Sequence, residues 1–158
     1  GEWVELYNPT DSPIDLTQYW IGDAANATDY EGMYTFPAGA TLAPHGVLVL
    51  AYDGSQVPQA QYEIFNASAK PDLIKVATWG TGDWNLRNDG DQVILMKSNG
   101  QAVDGVVWGD ASYPGVIAHP GVVYTHSLER YPANMDTDDC SKDFRDRYPP
   151  DPGRVRLD

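Results

Sequence analysis

DQVILMKSNGQAVDGVVWG (Asp91–Gly109) sets two apolar runs on either side of Ser98-Asn99-Gly100. Asn-Gly supplies the positive φ that a tight hairpin turn requires, so the stretch predicts two antiparallel strands. Val93 and Leu95 face one way, and Val103 and Val107 answer from the partner strand once a bulge is allowed at Gly105. Working outward, VLVLAYD (Val47–Asp53) is the most apolar run and predicts a central strand covered on both faces. EWVELYN (Glu2–Asn8) alternates, with Val4 and Leu6 on one face and Trp3 and Tyr7 on the other. NPTDSP (Asn8–Pro13) is a turn. IDL, YWIGD and YTFP (closed by Pro37) are short strands, QYEIF and LIKVA are weaker ones, and SLERY (Ser127–Tyr131) is the last.

Twelve prolines and fifteen glycines punctuate these runs, and helical periodicity is nearly absent. Short strands with turn signals every few residues predict an all-β domain, a β-sandwich with Greek-key connections, with a β-barrel as the competing arrangement. The sandwich is expected over 1–131. Residues 132–158 are expected to be an acidic turn followed by an irregular Pro/Arg-rich C-terminal tail, with at most a turn of helix at CSKDF, packing on the domain or on a neighbouring copy.

A chain of 158 residues suits one such domain and needs no staples to fold. Cys140 is the only cysteine, so no internal disulfide forms, and an inert, partly buried thiol is expected. Net charge is −13, which repels phosphate backbones and argues against nucleic-acid binding. No apolar run approaches the length of a membrane span, so no transmembrane segment is expected. Charge is uneven: residues 1–140 carry five basic and 19 acidic side chains, whereas 141–158 carry five basic and four acidic ones.

Five blocks together resemble the lamin tail domain found in bacterial and archaeal surface proteins: GEWVELYNPTDSPIDL (1–16), YWIGDAA (19–25), YTFPAGATLAPHGVLVLA (34–51), LRNDGDQVILMKSNGQAVDGVVWG (86–109) and SLERYPANMDTDDCSKDF with PPDPGR (127–154). The resemblance implies an immunoglobulin-like sandwich, a secreted or cell-surface setting, and a structural or binding module rather than an enzyme. The N-glycosylation patterns at Asn26 and Asn66 would suit that setting. Two features depart from the pattern. Relatives usually place another strand before the block that opens this chain, and Cys140 follows DTDD where relatives often have Asn.

A sandwich lacking that strand has an open edge beside an apolar groove, a template for another chain. Val4 and Leu6 would line the groove. The terminal RVRLD alternates as a donated strand would, with Val155 and Leu157 on one face and Arg154 and Arg156 on the other. The expected partner is therefore a second copy, joined head to tail into a filament, or another surface protein. The alternative is an accessory domain of a secreted hydrolase or anchored protein that binds carbohydrate or a partner.

No cofactor is required by any motif. Asp136, Asp138 and Asp139 are candidate calcium ligands, although the Gly and distal Glu of a calcium loop are missing. The clusters Asp23/Asp29/Glu31 and Asn88/Asp89/Asp91 are weaker candidates that turn chemistry also explains. His45, His119 and His126 lack zinc spacing, and no nucleophile elbow or phosphate loop occurs. Trp79 and Trp84, in the Gly-rich TWGTGDWN, are candidate platforms for sugar rings, against the plainer reading that they plug one end of the sandwich.

Overall fold

The hairpin at Asp91–Gly109 forms one side of the larger sheet. The computed structural model describes residues 1–158 and sets β9 (Gly90–Lys97) against β10 (Ala102–Gly109). Only Gly100 of the turn takes a positive φ, 84°. Its N–H donates to the Lys97 carbonyl at 2.9 Å, and the Lys97 N–H donates to the Gln101 carbonyl. The bulge lies between Ala102 and Asp104 rather than at Gly105. That shift turns the partner strand over. Val106 stands opposite Val93, whereas Val107 pairs with Gln92 on the other face, and Val103 is exposed.

β3 (Tyr19–Gly22) follows β9, then β4 (Met33–Thr35) and β8 (Ile74–Lys75), giving a five-stranded sheet in the order β10-β9-β3-β4-β8. A three-stranded sheet faces it, in the order β1-β6-β7, from Trp3–Tyr7, Val47–Ala51 and Tyr62–Glu63. A short ladder joins β2 (Ile14–Asp15) to β5 (Thr41–Leu42), with a 3₁₀ turn at Leu16–Gln18 between β2 and β3. The chain crosses repeatedly between the two sheets, as an immunoglobulin-like sandwich requires.

Strand parity accounts for the core. Leu48 and Leu50 of β6 point inward to meet Ile21, Tyr34, Val93 and Trp108 of the opposite sheet. Val49 and Ala51 point outward and are covered by Val57 and Ala60 with Trp3. β6 is thus buried on both faces, as its unbroken apolar run predicts. The outer face of the larger sheet is also covered: Met33, Ile94 and Met96 lie under Trp20, Trp79 and Tyr113.

The last quarter of the chain is more ordered than its composition suggests. β11 (Ser127–Arg130) pairs with β12 (Phe144–Arg147), a strand within the expected irregular tail, so SLERY is not the final strand. Between them α1 (Cys140–Asp143) supplies the turn of helix expected at CSKDF. Asp139 caps it, accepting from the Ser141 N–H at 3.2 Å. No helix in the chain is long and apolar enough to cross a membrane.

Candidate interaction groove

β1 pairs with β6 on one side only. The Tyr52 N–H donates to the Glu2 carbonyl and the Asn8 N–H to the Gly46 carbonyl, which fixes the parity of the ladder. Glu2, Val4, Leu6 and Asn8 therefore turn their backbone groups to β6, and Trp3, Glu5 and Tyr7 turn theirs outward. No backbone group of the chain pairs with that outer row.

A groove of about 1040 Å³ runs beside this edge. Val4, Leu6, Leu95, Val106, Leu128 and Val155 are among the residues that line it. The first five are half-buried and continuous with the main core. The groove is thus the place where the sandwich interior reaches the surface.

The tail crosses the groove and is held by charge. Arg156 bonds to Glu129 and to Asp151, the latter at 2.7 Å, and its carbonyl accepts from the Ala133 N–H at 2.7 Å. Arg147 holds the other oxygen of Glu129 at 2.7 Å. The Gly153 N–H reaches the Glu5 carboxylate at 2.6 Å. Arg154 and Leu157 remain exposed. Deeper in, Arg130 sits among Asp104 (2.6 Å), Asp136 (3.0 Å) and the Met135 carbonyl (2.9 Å), over the Phe144 ring, tying β11, the turn at 135–136 and β12 to β10.

The electrostatics of β1 follow from its position at a half-closed margin. Burial pushes the Glu5 carboxyl up to about 7. The Gly153 N–H opposes the shift, while Glu129 and Asp151 add repulsion. Burial raises Glu2 as well, against the Leu86 N–H it accepts. Glu5 on β1 and Glu2 just before it thus carry a charge that their surroundings poorly accommodate, and a basic side chain beside them would relieve it. The sequence shows an acid, Glu5, in an edge strand, a common guard against unwanted pairing. The tail that reaches it through the Gly153 N–H is not placed by periodicity.

A family model for the Lamin Tail Domain matches residues 1–110, the span from β1 through β10. The chain belongs to the lamin tail domain family. The match covers both sheets and ends where the chain leaves β10, so β11, α1, β12 and the tail that walls the groove lie outside it. No curated protein and no solved structure matches the chain.

The remaining candidates separate. In this lamin tail domain Asp136 pairs with Arg130, Asp138 adopts a positive φ of 57°, and Asp139 caps α1 and pairs with Lys142 at 2.6 Å. Asp136 and Asp139 are thus engaged with partners of their own, Arg130 and Lys142. No group of three side chains converges to hold a metal ion. Asp23 is buried and accepts from the Gly32 and Asn85 N–H groups at 2.8 and 2.7 Å; burial still pushes it up to about 6. Glu31 rises to about 7 through burial and the nearby charge of Asp91 and Asp23. Asp29 accepts from the Ala25 N–H, and Asp89 pairs with Arg87. These loop acids fix turns.

Trp84 is only 2 % exposed and lies in the core, so it offers no face to a sugar. Gly82 lets its loop press against the chain opposite, where a Cβ would stand 2.6 Å from the Tyr30 carbonyl oxygen. Trp79 is half-buried against Trp20 and donates its ring N–H to the Ala24 carbonyl at 3.1 Å. His45 and His126 pair separately with Asp11 and Asp146, and Cys140 is buried with a thiol pushed up by burial.

Proposed function

We propose that this lamin tail domain is a non-catalytic structural and interaction module of the cell surface or extracellular space, which receives an extended segment of a partner protein along β1. The observation that carries the reading is the outward row of Trp3, Glu5 and Tyr7 beside an apolar groove. Strand addition draws affinity from such backbone groups and specificity from alternate side chains. The segment that fits places apolar residues inward, toward Val4 and Leu6, and a basic residue outward, toward Glu5. Joined through copies of itself, the module would build a filament. The acidic surface and the exposed Asn26 and Asn66 sequons suit an extracellular setting. A carbohydrate-binding accessory role has less support, since Trp84 is buried and Trp79 packs on Trp20.

The test is a panel of nine-residue peptides alternating Val or Leu with Arg, titrated against the full chain by fluorescence anisotropy. Saturable binding is expected, and Tyr7→Pro should abolish it. Proline removes one outward N–H and is tolerated in an edge strand whose N–H faces away from its neighbour. A panel that fails to bind, or binding that survives Tyr7→Pro, would overturn the reading.

A further inference from the structure

The tail meets every requirement set by the groove, yet it does not fill the edge beside it. Within one molecule, Val155 reaches the groove and Gly153 reaches Glu5, but residues 154–157 pair with no strand and Leu157 is left 51 % exposed. The reason lies in the short connection from β12. Between Arg147 and Gly153 the chain carries Pro149, Pro150 and Pro152, which have no N–H to give to β1. The segment that could pair, Arg154-Val155-Arg156-Leu157, has its N–H groups and alternates basic with apolar residues. It also lies in the basic part of a chain whose first 140 residues carry 19 acidic side chains against five basic ones.

We propose that Arg154–Leu157 of one copy docks as a strand on β1 of a second copy, exchanging with that copy's own tail. The proposal rests on the reading of β1 as a docking edge and names the partner. Exchange re-forms between molecules what now exists within one: the Gly153 N–H on Glu5 and Arg156 on Glu129. It adds backbone bonds to Trp3, Glu5 and Tyr7 and buries Leu157 in the groove. Arg154 and Arg156 then lie on the outward face, where Glu5 stands. The contact is heterologous, tail to β1, so successive copies can continue it.

The test mixes two full-length variants with different tags, Tyr7→Cys and Leu157→Cys, under mild oxidation. Each adds one surface thiol, and Cys140 is buried, so a mixed disulfide must link two chains. The control replaces Tyr7→Cys by Ala67→Cys, in the loop after β7 at the opposite margin of the small sheet. The 7–157 heterodimer is expected to exceed the 67–157 product at least about tenfold. Arg156→Glu in the Leu157→Cys chain should bring it down to the control level, because charge reversal at a closely paired site weakens association by about that factor or more. Mass should also rise with concentration in light scattering of the unmodified chain. Cross-linking at the control level with a constant monomer mass overturns the exchange. If the alternating peptides still bind and Tyr7→Pro still abolishes that binding, only the choice of partner fails. If they do not, the docking edge fails with it.

Discussion

The two margins of the three-stranded sheet are built in opposite ways. At β7 the chain closes the sandwich with its own backbone. The Glu63 N–H donates to the Pro71 carbonyl, the Leu73 N–H to the Glu63 carbonyl, and the chain continues directly into β8 of the opposite sheet. Glu63 itself is fully buried and accepts from the Gly54 and Ser68 N–H groups at 2.8 and 2.9 Å. Burial would raise its carboxyl, but those donors outweigh it and hold the group below its ordinary value. At β1 no backbone closes the margin. A tail held by arginine–carboxylate pairs lies across it, and Glu5 is pushed up to about 7. Two glutamates in one sheet thus report their surroundings: one is solvated by amides, the other by little more than one. The β7 margin is held by backbone hydrogen bonds, and the β1 margin is covered by side-chain charge pairs.

The sharpest way to break this contrast is to neutralise each glutamate in turn. Glu63→Ala should destabilise the protein by about 3 kcal/mol, because buried N–H donors lose their acceptor. In a thermal melt that corresponds to a fall of roughly 6–12 °C. Glu5→Gln should not destabilise the protein at neutral pH and should, if anything, stabilise it, because it removes a charge that burial disfavours. Equal losses at both positions would erase the distinction between the margins.

Arg130→Met comes next, with an expected loss of about 2 kcal/mol. It leaves the half-exposed Asp104 and Asp136 without the buried cation they share and removes the Arg130 packing on Phe144. Because that arginine ties the turn at 135–136 and Phe144 of β12 to β10, limited proteolysis should then cut within 132–153 before it touches β9 or β10. Cleavage spread evenly along the chain would argue that the tail is no separate latch.

Stability should also depend on pH in a direction set by the raised acids. Glu5, Glu31 and Asp23 bind protons more tightly in the folded chain, at about 7, 7 and 6, than in the unfolded one. The folded state then holds more protons between about pH 4 and 7, so stability falls as pH rises through that window. The melting temperature should be higher at pH 5 than at pH 8. Glu31→Gln should flatten the slope, and a melting temperature that climbs toward pH 8 would contradict the burial of these groups. The smallest effect is expected at Lys75, whose exposed pairing with Asp83 at 2.7 Å should contribute no more than about 0.5 kcal/mol, measured as Lys75→Met.

Much of the sandwich was legible because its strands announce themselves by period and punctuation. The run Val47–Ala51 is buried on both faces as its composition predicts, and the hairpin at Asp91–Gly109 lies where Asn-Gly places it. Alternation of Val4 and Leu6 with Trp3 and Tyr7 marks β1 and its core-facing side chains. Register was less legible. Moving the bulge from Gly105 to Val103 exchanges Val107 for Val106 on the inner face, and no local residue signals the difference. β12 reads FRDR, a polar alternation with no apolar face of its own, and it forms because Glu129 and Asp146 offer partners to Arg147 and His126. Asp136, Asp138 and Asp139 resembled a cation loop because spacing records proximity along the chain. It does not record which carboxylate is already paired.

Hydrogen exchange at β1 in the free full-length chain tests the open margin most directly. Under dilute conditions the amides of Trp3, Glu5 and Tyr7 should exchange at least about a hundredfold faster than those of Val4, Leu6 and Asn8, which donate to β6. Uniform protection along Trp3–Asn8 in dilute monomer would show that β1 is already paired on both sides, and the account of its free edge would be wrong.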